Sequence, residues 1–290
     1  MYIEIENFIT YMTRVVKAPE NTICAYRRDL MQMAKYFESQ KQITDVKQVK
    51  AEDLENYILY LQDDGKKNTT LSRTVSSMKR FYAYLLIQEE IEISPARDLK
   101  APKIDKQTPD VLTDREFAQI INQTDITSKK GLRDRAMLNL MCTTGMHVSE
   151  IINLTVDDVN LKKKQIRCDW NGHVRTLQLD KKCVDSLKLY LKESRPAYIT
   201  GKTGNVLFTN NQGNKMSRQG LWKVLKNYAI LAGIKKNITP HTLRHTVINR
   251  MLDEGVSLKD IRDQMGFSDV TTALMYSYLY NRKNVSDSEQ

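Results

Sequence analysis

No apolar run in this chain of 290 residues reaches the roughly 18 residues that a membrane-spanning helix requires. The opening stretch, Met1-Tyr2-Ile3-Glu4-Ile5-Glu6, is acidic at once and has no apolar centre, so no secretory leader is expected. Cysteine is scarce: four residues, at 24, 142, 168 and 183, without a CxxC pair. That spacing argues against a disulfide framework or a structural zinc site; reduced thiols in a cytoplasmic protein are expected. Glycine (11) and proline (6) are few, and there are no internal repeats or low-complexity tracts. Collagen-like and disordered classes fall away with them. What remains is 41% hydrophobic and 28% charged residues, in a chain long enough for about two domains with real cores.

A second absence concerns charge. Between 201 and 250 there are nine Lys and Arg and no Asp or Glu. The whole chain has 45 basic and 35 acidic residues, a net charge of +10. Residues 1–105 are balanced at 16 of each sign, so the entire excess lies in residues 106–290, with 29 against 19. Fifty residues of one sign create a field that attracts a polyanion, and nucleic acid is the obvious one. The plain alternative is a solvated basic face, although mixed signs would serve solubility as well. A membrane surface fits less well, because the stretch lacks a long amphipathic pattern with bulky apolar anchors.

The first hundred residues read as helices: Tyr2 to Val16, a second from Asn21 or Thr22 as cap to Phe37, Ala51 to Asp63, and Thr69 to Gln88. Pro95, Pro102 and Pro109 then mark a linker. The second part opens with Thr113 and Glu116 in a capping box. Helices are expected near 114–123, 131–145, 147–153, 181–193, 217–232, 241–254, 257–264 and 270–280. Between them, two alternating runs, 165–170 and 173–179, flank Asn171-Gly172, the strongest local signal for a hairpin.

Thr239-Pro240-His241-Thr242-Leu243-Arg244-His245 carries the chemistry. His241 and Arg244 are three apart on one helical face and could share a phosphate, Arg244 as a fork and His241 by hydrogen bond or proton transfer. The plain reading is a chance HxxR on a surface helix. His241 and His245 also have the spacing of a zinc helix. No Glu lies between them and an Arg does, which argues against a metal.

Several segments in order resemble the tyrosine recombinases, and among them the Xer-type recombinases and phage integrases. They are Asn21-Thr22 through Asp29-Leu30, Phe81-Tyr82-Ala83-Tyr84-Leu85, Ser94-Pro95-Ala96, and Arg133 to Leu138 followed by Thr144-Gly145-Met146-His147-Val148-Ser149-Glu150-Ile151. His241 to His245, and Met265-Gly266-Phe267-Ser268-Asp269 with Tyr276 nine residues after Phe267, complete the series. The resemblance implies a mainly α fold with a small antiparallel β-sheet in two domains. Residues 1–100 would be a helical core-binding (SAM-like) domain, 101–110 a linker, and 111–290 a mixed α/β catalytic-type domain. It implies attack by Tyr276 on a DNA phosphodiester to give a 3′-phosphotyrosyl link, without metal or other cofactor. Arg244 would clamp the phosphate and His241 act as acid or base. Tyr278 and Tyr280 lie close by, but only Tyr276 matches the family spacing.

Three positions depart from the family pattern. His147 stands where it has arginine, Phe267 where it has His or Trp, and no lysine sits at the hairpin turn; the nearest basic candidates are Arg167, His173 and Arg175, with Lys162, Lys163 and Lys164 further back, and His173 or Arg175 could stand in for the lysine. Losing one preorganised donor of this kind costs about 10²–10³ in rate. The expectation is therefore a DNA-binding site-specific recombinase with impaired cleavage; the alternative is an inactive architectural or regulatory protein on the same fold. Arg27, Arg28, Arg73 and Lys79 in the first domain, and Arg218, Lys223 and Lys226 in the second, are the expected DNA contacts. The expected partners are double-stranded DNA and a second copy or a partner recombinase, with no membrane, in a cytoplasmic, nucleoid-associated location.

Overall fold

The computed structural model describes residues 1–103, 110–170, 172–201 and 203–288, with side chains throughout except at 170 and 282–288. The chain divides into two compact units, Met1–Lys106 and Gln107–Gln290. The linker expected at 101–110 falls, from 104 to 109, outside the described residues, as does Asn171 of the hairpin turn. Among the described residues, no helix is long and apolar enough to cross a membrane.

The first unit is four helices, α1 (Tyr2–Arg14), α2 (Glu20–Tyr36), α3 (Ala51–Asp63) and α4 (Asn68–Ile87). Each contributes one apolar stripe to a common core: Ile5 and Phe8 from α1, Leu30 and Met33 from α2, Leu54 and Tyr57 from α3, Met78 and Phe81 from α4. Two expectations need correction. Helix α2 is not capped by Asn21 or Thr22; it starts at Glu20 after Pro19, whose carbonyl accepts the N–H groups of Thr22 and Ile23. Proline's fixed φ, here −56°, sets up the first turn without a side-chain cap. Helix α1 stops at Arg14 rather than Val16, because Lys17 takes a left-handed φ of 52° that ends the ladder.

Two of the four cations expected to contact DNA here have carboxylate partners. Arg73 forms a two-bond fork with Asp29, at 2.8 Å to each oxygen, and that carboxylate is 4% exposed. Its charge is taken up by a buried partner. Arg27 lies 2.6 Å from Glu6. Arg28 and Lys79 are exposed and have no ion pair among the described residues.

The second unit packs α5 (Asp114–Asn122), α6 (Lys129–Thr144), α7 (Val148–Asn153), α8 (Lys181–Leu189), α9 (Arg218–Leu231), α10 (Pro240–Asp253), α11 (Leu258–Met265) and α12 (Val270–Ser288) with a three-stranded antiparallel sheet. The Thr113–Glu116 capping box forms as expected. The hairpin forms from β2 (Gln165–Trp170) and β3 (His173–Gln178), with Trp170 opposite His173. A short third strand, β1 (Val159–Asn160), pairs with β2; two residues are too few for a sequence pattern. Helix α6 is the centre of the unit, buried on nearly every face. Its Arg133 forks onto Asp134 and reaches the Thr209 carbonyl and the Asn211 side chain, while Tyr228 of α9 donates to the other Asp134 oxygen. This network ties loop and helices behind the site.

Replacing Arg73 by Ala strands the Asp29 carboxylate in the first unit's interior. The expected loss is about 2 kcal/mol of stability, the cost of leaving a buried charged acceptor unpaired. Urea unfolding checks it; an unchanged midpoint would mean that Arg73 is available to DNA after all.

Candidate active site

Helix α6 ends at Gly145, whose φ of +62° lets the chain turn left-handed and leaves its carbonyl open. A Cβ here would lie 3.0 Å from the Met265 side chain and 3.2 Å from the Val247 Cβ, so the position also needs glycine for space. His147 follows as N-cap of α7, and Glu150 reaches back to accept its N–H at 2.7 Å. Helix α10 starts from a Thr239–Thr242 capping box with Pro240 in the first turn, which sets the phase of His241, Arg244 and His245.

Arg244 is 3% exposed. Its Nη1 donates to the Gly145 carbonyl at 2.7 Å and its Nη2 to the Met265 carbonyl at 2.5 Å. The guanidinium carbon sits 5.0 Å from the centre of the Phe267 ring. Phe267 in turn stacks on Tyr276, with centroids 5.8 Å apart and planes 13° from parallel. The His245 ring centroid is 5.3 Å from that of Tyr276, and His241 is 6.3 Å from His245. Guanidinium, phenyl, phenol and imidazoles thus form one continuous column. Phe267 donates no hydrogen bond, yet its ring packs near both the cation and the phenol ring.

Burial pulls the Arg244 pKa down to about 10, with Arg175 adding to the fall and the Glu150 and Tyr276 charges opposing it. It therefore stays charged at neutral pH. Burial raises the Tyr276 phenol above its ordinary value, and Arg244 works against that rise. The phenol is neutral at rest and needs a base to become a nucleophile. His147 is lowered to about 4, first by burial and then by the charges of Arg244, His241, Arg175 and Arg218. His245 is also lowered to about 4, by burial, His241 and Arg244.

The structure therefore gathers Tyr276, Arg244 and His241 into one cluster, with His147 inside its field. His173 stands at the hairpin end, exposed, and lines a cavity of about 780 Å³ with Arg175, Gly266, Phe267 and Ser268. Tyr278 is 61% exposed, and the Tyr280 hydroxyl donates to Asp253. Arg218, first residue of α9, and Lys223 and Lys226 further along it are exposed; Lys226 lies 5.2 Å over the Trp222 ring. Sequence reasoning missed Glu150, a carboxylate only 2% exposed that pairs with Arg175 at 2.6 Å. Its one signal was an acid three residues after a helix N-cap, which reads as an ordinary capping box. His245 and the stacking role of Phe267 were missed as well, since ring contacts leave no trace in spacing.

Comparison with known proteins agrees with this architecture. Residues 110–283 match the phage integrase family and residues 5–89 its N-terminal SAM-like domain. The chain is 34% identical to the tyrosine recombinase XerD of Staphylococcus epidermidis over 276 residues, 95% of this chain and 93% of that protein. It is 31% identical to the XerD of Oceanobacillus iheyensis over 277 residues, with the same coverage of 95% and 93%. Among solved structures, the XerH recombinase bound to a palindromic difH substrate superposes with a TM-score of 0.78 at 18% identity, covering 99% of this chain and 84% of that one. The Tn1549 transposon integrase bound to transposon right-end DNA gives 0.77 at 16% identity, covering 99% of both. At such identities these two likenesses speak to the fold.

Two depressed histidines make stability depend on pH. In the unfolded chain each binds its proton near pH 6.5; in the folded chain His147 and His245 do so only near 4. Between those values the unfolded state holds more protons, so stability is complete above pH 6.5 and is lost as pH falls toward 4. Thermal unfolding should drop through that window, and His147→Gln should flatten the slope. Histidine ring NMR titrating near 6.5 at both sites would contradict the prediction.

Proposed function

The chain belongs to the phage integrase family of tyrosine recombinases, and from that premise we propose that it recombines double-stranded DNA at specific sites, slowly, through a covalent intermediate on Tyr276. The observation that carries this reading is the column in which Arg244, Phe267, Tyr276, His245 and His241 follow one another. A tyrosine, a buried arginine and an exposed imidazole in one neighbourhood support the reading of an anion site there.

In the proposed step the Tyr276 hydroxyl oxygen attacks the phosphorus of a DNA phosphodiester. The new bond is phosphorus to Tyr276 oxygen, and the bond to the 5′-oxygen breaks. His241 takes the phenolic proton, and His173 on the hairpin delivers one to the departing 5′-oxygen. Arg244, fixed by two carbonyls before DNA arrives, stabilises the extra negative charge without reorganising. Religation reverses these transfers with a new 5′-hydroxyl, so neither metal nor nucleotide is consumed. The relatives named as tyrosine recombinases support the reaction class. The DNA bound in similar solved complexes supports the partner, and a lambda integrase dimer on its core site supports action as an oligomer, with a second copy or a partner recombinase. The place of action is the cytoplasm, at chromosomal or mobile-element DNA.

Slow cleavage follows from residue 147. A histidine with a pKa of about 4 is uncharged at neutral pH, where arginine would be a cation with five donors. That same observation favours the second reading, a DNA-binding architectural protein whose chemistry has been lost.

A nicked suicide substrate separates the two. The wild-type chain should yield a covalent protein–DNA adduct on a denaturing gel, and Tyr276→Phe none, with duplex affinity intact. His147→Arg should raise the rate by about 10²–10³, the worth of one preorganised donor. Absence of adduct with every site tried, and no gain from His147→Arg, would leave the architectural reading. Replacing both Lys223 and Lys226 by Ala should reduce the salt slope of duplex affinity by about 0.9 for each phosphate that is no longer neutralised.

A further inference from the structure

Glu150 is a buried anion beside a site built to receive another anion. Its Oε2 accepts the His147 N–H, so it cannot turn away. Its charge reaches Arg244, whose pKa it raises. Left alone, such a carboxylate would repel a phosphate and offset the arginine meant to hold it. Residue 147 does not cancel it, because a neutral histidine stands there.

The cation that does so is Arg175, reaching in from β3. Its side chain is 12% exposed, and Nη1 lies 2.6 Å from Glu150 Oε1. Nε donates to the Gln264 carbonyl of α11 at 3.0 Å. A Cβ on Gly266 would lie 2.7 Å from Nη1, so glycine at 266, with φ of +67°, is what admits the guanidinium. Nη1 and Nη2 are buried without a well-aligned hydrogen-bond acceptor. The ion pair is therefore close but incompletely satisfied. Buried pairs of that kind add little stability, and apolar or neutral replacements of both partners are often as stable. Its location, between the hairpin, α7 and α11 and within the field of Arg244 and His147, gives it a different use.

We propose that Arg175 is a positioning residue of the phosphate site: it neutralises Glu150, so that Arg244 meets the anion with its full charge. The inference rests on the phosphate-handling role proposed above for Arg244 and His241. It assigns Arg175 no contact with the phosphate. The other ionisable groups that act on this place are His241 on α10 and Arg218 on α9.

The test uses the full chain and inorganic phosphate as probe, followed by the ring resonances of His241. One nearby charge shifts an ionic equilibrium by about tenfold or more. Arg175→Met should weaken phosphate by about that factor, while Arg175→Lys, which keeps the charge, should stay close to wild type. Glu150→Gln should bind phosphate as tightly as wild type or tighter. The double variant Arg175→Met with Glu150→Gln removes both charges; it should fold with near wild-type thermal stability and regain most of the affinity. If Arg175→Met fails to fold, Glu150→Gln and the double variant decide the matter. A folded double variant as weak as Arg175→Met would overturn the proposal and make Arg175 a phosphate ligand. So would weaker binding by Glu150→Gln, or no phosphate-dependent shift in the wild-type chain. Duplex binding and adduct formation are read separately: their failure, with this pattern intact, sinks the recombinase reading and leaves the role of Arg175 standing.

Discussion

Everything in the candidate site hangs on one buried guanidinium. Arg244 has almost no contact with water, and the cost of burying a cation there must be offset by partners. Two carbonyls take its donors, one from the end of α6 and one from the end of α11. Both carbonyls stand at helix C-termini, where backbone acceptors lack intrahelical donors and the helix dipole favours a positive charge. Both helices end on a left-handed glycine, Gly145 and Gly266. Those glycines leave the carbonyls pointing inward, and each also clears space for a neighbour. The arginine thus locks two chain reversals together and is itself held in one orientation.

The departures from the family pattern gain a physical meaning around that cation. Phe267 lacks the donor of a histidine or tryptophan, but its ring packs against both the Arg244 guanidinium and the Tyr276 ring. His147 lacks the charge of an arginine and is held neutral by burial and by the cations around it. The site is therefore poorer in positive charge than its family pattern, and the balance among Arg244, Arg175 and Glu150 matters more than it would with a second arginine present. Tyr276, in a half-buried place, starts as a neutral phenol.

Charge is distributed by task in the two units. In the first, two of the four cations expected to meet DNA have carboxylate partners, and Arg73 serves the interior by holding Asp29. In the second, the acid-free stretch supplies both kinds of cation. Arg244 is buried and fixed, whereas Arg218, Lys223 and Lys226 are exposed along α9. A basic sequence stretch cannot separate those two uses, because burial of an individual side chain depends on what packs over it.

Periodicity and caps determined most of the fold. The four helices of the first unit, the Thr113–Glu116 box and the Asn171-Gly172 hairpin follow from local patterns, since side-chain spacing, cap chemistry and turn residues act over a few positions. Motif order determined the family, and the spacing from Phe267 to Tyr276 singled out the tyrosine. Boundaries were less legible: Pro19 began α2 where Asn21 or Thr22 looked the better cap, and β1 was too short to show. Only the tertiary structure decided the electrostatics. The partners of Arg244, the pairing of Glu150 with Arg175 and the fork of Arg73 on Asp29 join residues 99, 25 and 44 positions apart or at comparable range. Interactions over such separations leave no periodic mark on the sequence, because they are set by which helix ends and strands the packed core brings face to face.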